Sequence, residues 1–268
     1  MVSVTQRIKQ VKQPRGGFLK PKEFEEIHLP LIQDFEYKEN LAPYTIGMAV
    51  DYLTRFMVSD DEFEGQLFKR YQSVETRAEN AFKVSLIGAS STNDDTHIEN
   101  ARNMVSQIKG LDDTSIINAC KLVNYDSVYR AGFMPTEFRE PDSQTIESVR
   151  MLVNRGIDFF KQYGAPTVDG FTFRGAYTPL INAGDGDFLT QDTLWDFKVS
   201  KYKPNKDHTL QLLIYYLMGL ESKQAEFRRL KYIAIYNPRL HTVFRYPVKD
   251  LSDDLIHEIR TSVIGYNN

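Results

Sequence analysis

A single cysteine, Cys120, stands in a chain of 268 residues. One thiol cannot build a disulfide framework, a four-cysteine zinc site or an iron–sulfur cluster. It lies in the apolar-spaced run SIINACKLV, where a small buried core residue is expected. No window approaches the about 18 uninterrupted apolar residues that a bilayer span requires, so no membrane partner is expected. The N-terminus carries no apolar stretch of the kind that a secretory leader has, and a cytoplasmic location is expected. A charge excess is also missing: 33 Lys and Arg against 36 Asp and Glu give a net charge of −3. On that total nothing points to a polyanionic partner. A hydrophobic content of 41% excludes disorder as the dominant state and is enough for a substantial core.

The distribution of charge departs from the total. Residues 1–22 carry Arg7, Lys9, Lys12, Arg15, Lys20 and Lys22 and no acid. Pro14, Gly16 and Gly17 speak against a helix there, and the segment is expected to be a basic flexible arm, either merely solvated or touching a polyanion. Residues 23–165 read as mainly helical. In 43–58, Ile46, Ala49, Val50, Leu53 and Phe56 recur at helical spacing behind Pro43, which suits a first turn. Runs 64–88, 97–110 and 114–132 each end near a glycine, and 143–164 begins with Ser143 or Thr145 as candidate cap. From 166 to 268 the texture changes to short segments rich in aromatic and β-branched residues, at 171–180, 185–191, 193–200, 229–237 and 241–248. A helix from Asp207 to Met218 interrupts them, with Asp207 as cap and Gly219 as stop, and a last helix follows Ser252. The order is helices, then β-β-β-α-β-β-α within one compact domain. The fold class is α/β of the α+β kind, with a mixed central sheet flanked by helices.

The informative stretch is 185–200, DGDFLTQDTLWDFKVS. If its two strands pair about a two-residue turn at Gln191 and Asp192, Leu189 faces Leu194 and Asp187 faces Asp196. Directly opposed residues share a face and alternate along each strand. One face then presents Asp187, Asp196 and Lys198, with Asp185 nearby. The other presents Phe188, Trp195, Phe197 and Val199. Opposed carboxylates repel unless something neutralises them, and a divalent cation with oxygen ligands does so. Gln-Asp is not a favoured two-residue turn, and a three-residue loop pairs Asp187 with Phe197 instead. The plainer alternative is an exposed strand pair with a surface Asp–Lys ion pair, worth about 0–1 kcal/mol.

On the following helix, Gln211 and Tyr215 stand at i and i+4 on one face, with His208 one turn earlier. A surface amide, a half-buried phenol and a solvated or capping imidazole are the plain roles for these three.

With Asp187, then Asp196-Phe197-Lys198, then Gln211-Leu212-Leu213-Ile214-Tyr215, the chain resembles the PD-(D/E)XK nuclease superfamily in its RecB-like exonuclease branch. The resemblance spans roughly the last hundred residues. It implies a restriction-endonuclease-like core in which Asp187 and Asp196, with the Phe197 carbonyl, bind Mg²⁺ or Mn²⁺. Lys198 then orients or helps deprotonate the attacking water, and Gln211 and Tyr215 position the strand or the lysine. Gly47–Asp51 resembles the family's upstream G-x-x-x-H, with Asp51 in the histidine position as a further metal ligand; Glu147 competes for that role. Gly186 stands where the family has proline. The cysteines that hold an iron–sulfur cluster in some members are absent, so no cluster is expected.

The activity implied is metal-dependent hydrolysis of DNA, single- or double-stranded. Lys198, Lys201, Lys203 and Lys206, and then Lys223, Arg228, Arg229 and Lys231, are placed to track phosphates, or are solvated loop charges. Tyr202 and Tyr177 are candidates for stacking on bases or for core packing. The alternatives are a catalytically weak nucleic-acid-binding or interaction protein on a nuclease fold, an RNA-directed nuclease or nickase, and a scaffold whose helical half is the working surface.

Overall fold

The computed structural model describes residues 2–30, 38–59 and 73–267. The chain folds as two compact units, one from Met1–Pro30 and Pro166–Asn268, the other from Leu31–Ala165.

The first unit opens with a helix, α1 (Val4–Gln10), not with a flexible arm. Ser3 and Gln6 form a capping box, and Val4 and Ile8, one turn apart, are buried. Pro14, Gly16 and Gly17 lie beyond the last turn, so they end the helix and do not preclude it. Leu19 is buried as well. A short strand, β1 (Glu25–His28), follows.

The second unit is helical. Its elements are α2 (Pro43–Val58), α3 (Val74–Ala81), α4 (Lys83–Ser90), α5 (Asp95–Ser106), α6 (Asp113–Leu122), α7 (Asp126–Ala131) and α8 (Ser143–Tyr163). Pro43 occupies the first turn of α2. The cap of α8 is Asp142, one residue before the expected Ser143, and it accepts the Thr145 amide at 2.8 Å. The helix read over 64–88 is two helices where it is described, and its first part lies outside the described residues. Gly156 on α8 lets α2 close in, because a Cβ there would lie 2.8 Å from the Thr54 side chain. Buried Asp126 ties three elements together. It accepts from Tyr52 Oη on α2 and from Ser85 Oγ on α4, each at 2.5 Å.

The remainder of the first unit is β2 (Val168–Thr172), β3 (Asp185–Leu189), β4 (Thr193–Phe197), α9 (Lys206–Glu221), β5 (Tyr232–Asn237), β6 (Thr242–Pro247) and α10 (Asp253–Glu258). A π-helical turn, Ile259–Ile264, continues α10. Among the described residues six strands form one sheet in the order β1-β6-β5-β4-β3-β2. Only β4 and β5 run parallel, and α9 is the crossover between them; every other pair is antiparallel. The class is therefore α/β with a mixed six-stranded sheet flanked by helices.

Helix α9 is apolar almost all round, with Leu210, Leu212, Leu213, Ile214, Leu217 and Met218 buried. It sits in a core with Leu189, Leu194, Ile233, Ile235 and Phe244 from the sheet and Val4 and Ile8 from α1. Full burial of one such side chain contributes about 1.5–3 kcal/mol, so this interior dominates the unit's stability. The helix starts one step earlier than Asp207 and runs through Gly219. Asn205 is its cap, and the Phe227 ring lies over Gly219, 2.0 Å from where a Cβ would be. That glycine serves packing and does not stop the helix.

Candidate functional site

The hairpin register is that of the two-residue turn. Phe188 pairs with Trp195, Leu189 with Leu194, and the Thr190 amide donates to the Thr193 carbonyl at 3.0 Å. The three-residue alternative is thereby excluded. The ladder nevertheless stops at Phe188 and Trp195. Alternate opposed pairs in an antiparallel ladder exchange backbone bonds. The next such pair would send the Phe197 amide to the Gly186 carbonyl. Asp187 Oδ2 takes that proton instead, at 2.7 Å. Asp187 thus braces the point where the strands part.

Asp196 is the fourth residue of a strand buried along its whole length, and it is 2% exposed. Lys198 Nζ lies 2.9 Å from its Oδ1 and is about one-third exposed, which rules out a surface ion pair. Leu194 beneath it packs in the core with α9. The acidic face of the hairpin is therefore covered, contrary to a simple division into one apolar and one solvated face. Phe188 and Trp195 on the other side are buried too, with their rings stacked at 6.3 Å. Trp195 Nε1 donates to Thr190 Oγ1 at 2.9 Å.

From the crossover helix, Gln211 Nε2 donates to Tyr215 Oη at 2.7 Å. Tyr215 is buried, and its phenol is held well above its ordinary range, first by burial and then by the charge of Asp196, with smaller effects from Asp187 and Asp185. The same three acids that the hairpin gathers thus act on the phenol. His208, in the first turn of α9, accepts the Asn205 amide through Nδ1 at 3.3 Å. Its imidazole is pushed down to about 4, chiefly by burial and secondly by the charge of Lys198.

The first unit therefore brings together Asp187, Asp196, Phe197, Lys198, Gln211 and Tyr215. They stand where β4 ends and the chain departs for the crossover helix. In open α/β sheets the crevice outside the carboxyl ends of parallel strands is where ligands bind. Asp51 and Glu147 belong to the second unit. Asp51 Oδ1 pairs with Arg55 Nε at 2.9 Å, and Glu147 pairs with Arg150.

Two carboxylates and a main-chain carbonyl are hard oxygen donors. Mg²⁺ is commonly held by one or two carboxylates, with waters and phosphate oxygens completing its shell. The residues present fit such an ion. Among the described residues, no three His, Cys, Asp or Glu side chains group into a metal-holding set.

Sequence reasoning missed Asn237. It is 1% exposed and follows Tyr236, whose carbonyl accepts the Lys198 amide at 2.9 Å. Asn237 Nδ2 donates to the Ser200 carbonyl at 2.8 Å and the Tyr202 carbonyl at 3.2 Å, while Oδ1 accepts the Arg239 amide at 3.0 Å. The Asn-Pro dipeptide at 237–238 marks a turn, but the loop it clamps is distant in sequence.

Glycine at position 186 has a packing cause. Gly186 lies opposite Phe171 on β2, and a Cβ would sit 2.1 Å from that ring. No helix among the described residues is long and apolar enough to cross a membrane. No family model matches the chain, and neither a curated protein nor a solved structure matches it.

Proposed function

We propose that the protein is a metal-dependent nuclease that hydrolyses DNA phosphodiester bonds on a restriction-endonuclease-like core of the RecB-like kind. The observation that carries this is the convergence of Asp187, the Asp196–Lys198 pair and the Gln211–Tyr215 pair at the end of β4. Asp187, Asp196 and the Phe197 carbonyl would hold Mg²⁺ or Mn²⁺. Bound there, such an ion would lower the pKa of a water and neutralise phosphate charge.

The chain's own groups have distinct tasks. Lys198, fixed by Asp196, presents an ammonium to the attacking water and to developing negative charge. The acceptor role of Asp187 toward Phe197 keeps the two acids in one geometry. Tyr215 stays protonated over any ordinary pH and is oriented by Gln211, so it positions and does not exchange a proton.

The test incubates the full chain with single-stranded, linear duplex and circular duplex DNA, and with RNA, in Mg²⁺, Mn²⁺ or EDTA. Metal-dependent cleavage that disappears in Asp187→Ala and Lys198→Ala is the expected result. A wild type inactive on every substrate with every metal overturns the proposal.

A further inference from the structure

The residues between β4 and α9 hold an aromatic side chain that folding does not explain. Tyr202 is 80% exposed, the most exposed large hydrophobic side chain among the described residues. Tyr177, by contrast, is bound into the fold. Its hydroxyl donates to the Gly184 carbonyl at 2.9 Å and accepts the Phe173 amide at 3.3 Å. An exposed ring at the tip of a slack loop would mean little, yet this loop is held at several points. Asn237 grips the Ser200 and Tyr202 carbonyls from beneath, and the Tyr202 amide donates to Ser200 Oγ at 3.1 Å. Lys203 is anchored to Glu26 on β1 at 2.7 Å. The backbone is thus fixed while the ring is left in water.

The setting of that ring is cationic. Lys201 precedes it and Lys206 opens α9, while Lys203 and Lys198, on either side, are shared with Glu26 and Asp196. A ligand that rewards an exposed π-face amid ammonium groups carries both flat rings and regularly spaced negative charge. An unpaired nucleic-acid strand has both features, since every base offers a π-face and every linkage a phosphate. An acidic peptide supplies charge without the flat partner. In a duplex the bases are stacked on one another and are not available to a single external ring.

We infer that loop 198–205 is a platform for an unpaired strand, in which Tyr202 stacks on a base next to the phosphate at the Asp187–Asp196–Lys198 site and Lys201 contacts the backbone. This rests on the nuclease proposed above and narrows its substrate to single strands or frayed ends.

The test is binding without cleavage. Fluorescence anisotropy is read for a labelled oligothymidine and a blunt duplex with the full chain in EDTA. Tyr202→Ala is expected to bind oligothymidine about tenfold more weakly, the size of one base stacked on an aromatic ring, while Tyr202→Phe stays near wild type. Duplex binding should be equal in all three proteins. Lys201→Ala should lower the salt dependence of binding by about one phosphate contact. Oligothymidine binding that is absent, or unchanged in Tyr202→Ala, overturns the inference, as does an equal loss on the duplex. Tyr202-dependent binding supports it even if no metal yields cleavage, so the platform and the nuclease can fail separately.

Discussion

The Asp187 carboxylate accepts the Phe197 amide proton at 2.7 Å, so one acid of the site is bonded to the backbone directly after the other. A side chain has replaced a main-chain carbonyl in the ladder. The geometry of the site and the local fold are consequently one structure, and substitutions there have two readouts.

Asp187→Asn keeps an acceptor for Phe197, and Asp187→Ala does not. A buried amide left without an acceptor costs about 1–3 kcal/mol. The alanine variant should therefore be less stable than the asparagine variant by that order in urea unfolding, while both lose metal-dependent cleavage. Equal stabilities would mean that the hydrogen bond contributes nothing.

Lys198→Met removes the ammonium from a carboxylate that is 2% exposed. Breaking a fully buried pair from one side costs about 3–5 kcal/mol. With Lys198 partly exposed, screening reduces this, and about 1–3 kcal/mol is expected. The double variant Asp196→Leu, Lys198→Met should be more stable than the single one. Denaturant midpoints of the three proteins settle the order.

Mg²⁺ or Mn²⁺ should stabilise the wild type by about 2.7 kcal/mol at a hundred times its dissociation constant, growing with the logarithm of metal concentration and read as a rise in unfolding temperature. Asp196→Asn should abolish the shift.

His208 gives a pH dependence of known sign. Its pKa falls from 6.5 to about 4 on folding, because burial and then the Lys198 charge disfavour the imidazolium. Between those values the unfolded chain takes up a proton that the folded chain refuses. The contribution of this group is complete above pH 6.5 and is lost as the pH falls toward 4. His208→Gln should flatten the stability profile in that window, and NMR titration of the wild type should show one imidazole titrating near the lower value.

Gly186→Ala places a methyl group 2.1 Å from the Phe171 ring. Overpacking of this kind costs about 1–3 kcal/mol. Phe171→Leu in the same chain should restore part of the loss, which thermal unfolding of the single and double variants measures.

Much of the first unit was legible in its residues. The order β-β-β-α-β-β-α and the i, i+4 placement of Gln211 and Tyr215 follow from local periodicity, and the structure has them, although the first strand, expected at 171–180, lies at Val168–Thr172. The turn at Gln191 and Asp192 was one of two registers that turn chemistry left open. What escaped was set by distant partners. Residues 1–22 read as an arm because a seven-residue helix has little local signal, and its burial depends on residues almost 180 positions away, as in the Val2–Asn182 hydrogen bond. Strand β1, Glu-Glu-Ile-His, lacks an apolar alternation because it is an edge strand, and Arg245 on β6 neutralises Glu25 at 2.7 Å. Gly219 read as a stop and is a packing contact with Phe227. The early end of the β3–β4 ladder was invisible because it depends on one carboxylate outcompeting a carbonyl.

The pairing of β1 with β6 has a consequence in time. Glu25 and Arg245 are 220 residues apart. At about 5–20 residues per second, β6 leaves the ribosome roughly 10–45 s after β1. For that interval β1 lacks its β6 neighbour in the sheet, and Val4 and Ile8 lack the crossover helix that buries them. The second unit is synthesised whole in the meantime. The nascent chain therefore carries an unsatisfied strand while some 220 further residues are made, and the β1–β6 pair closes only after that.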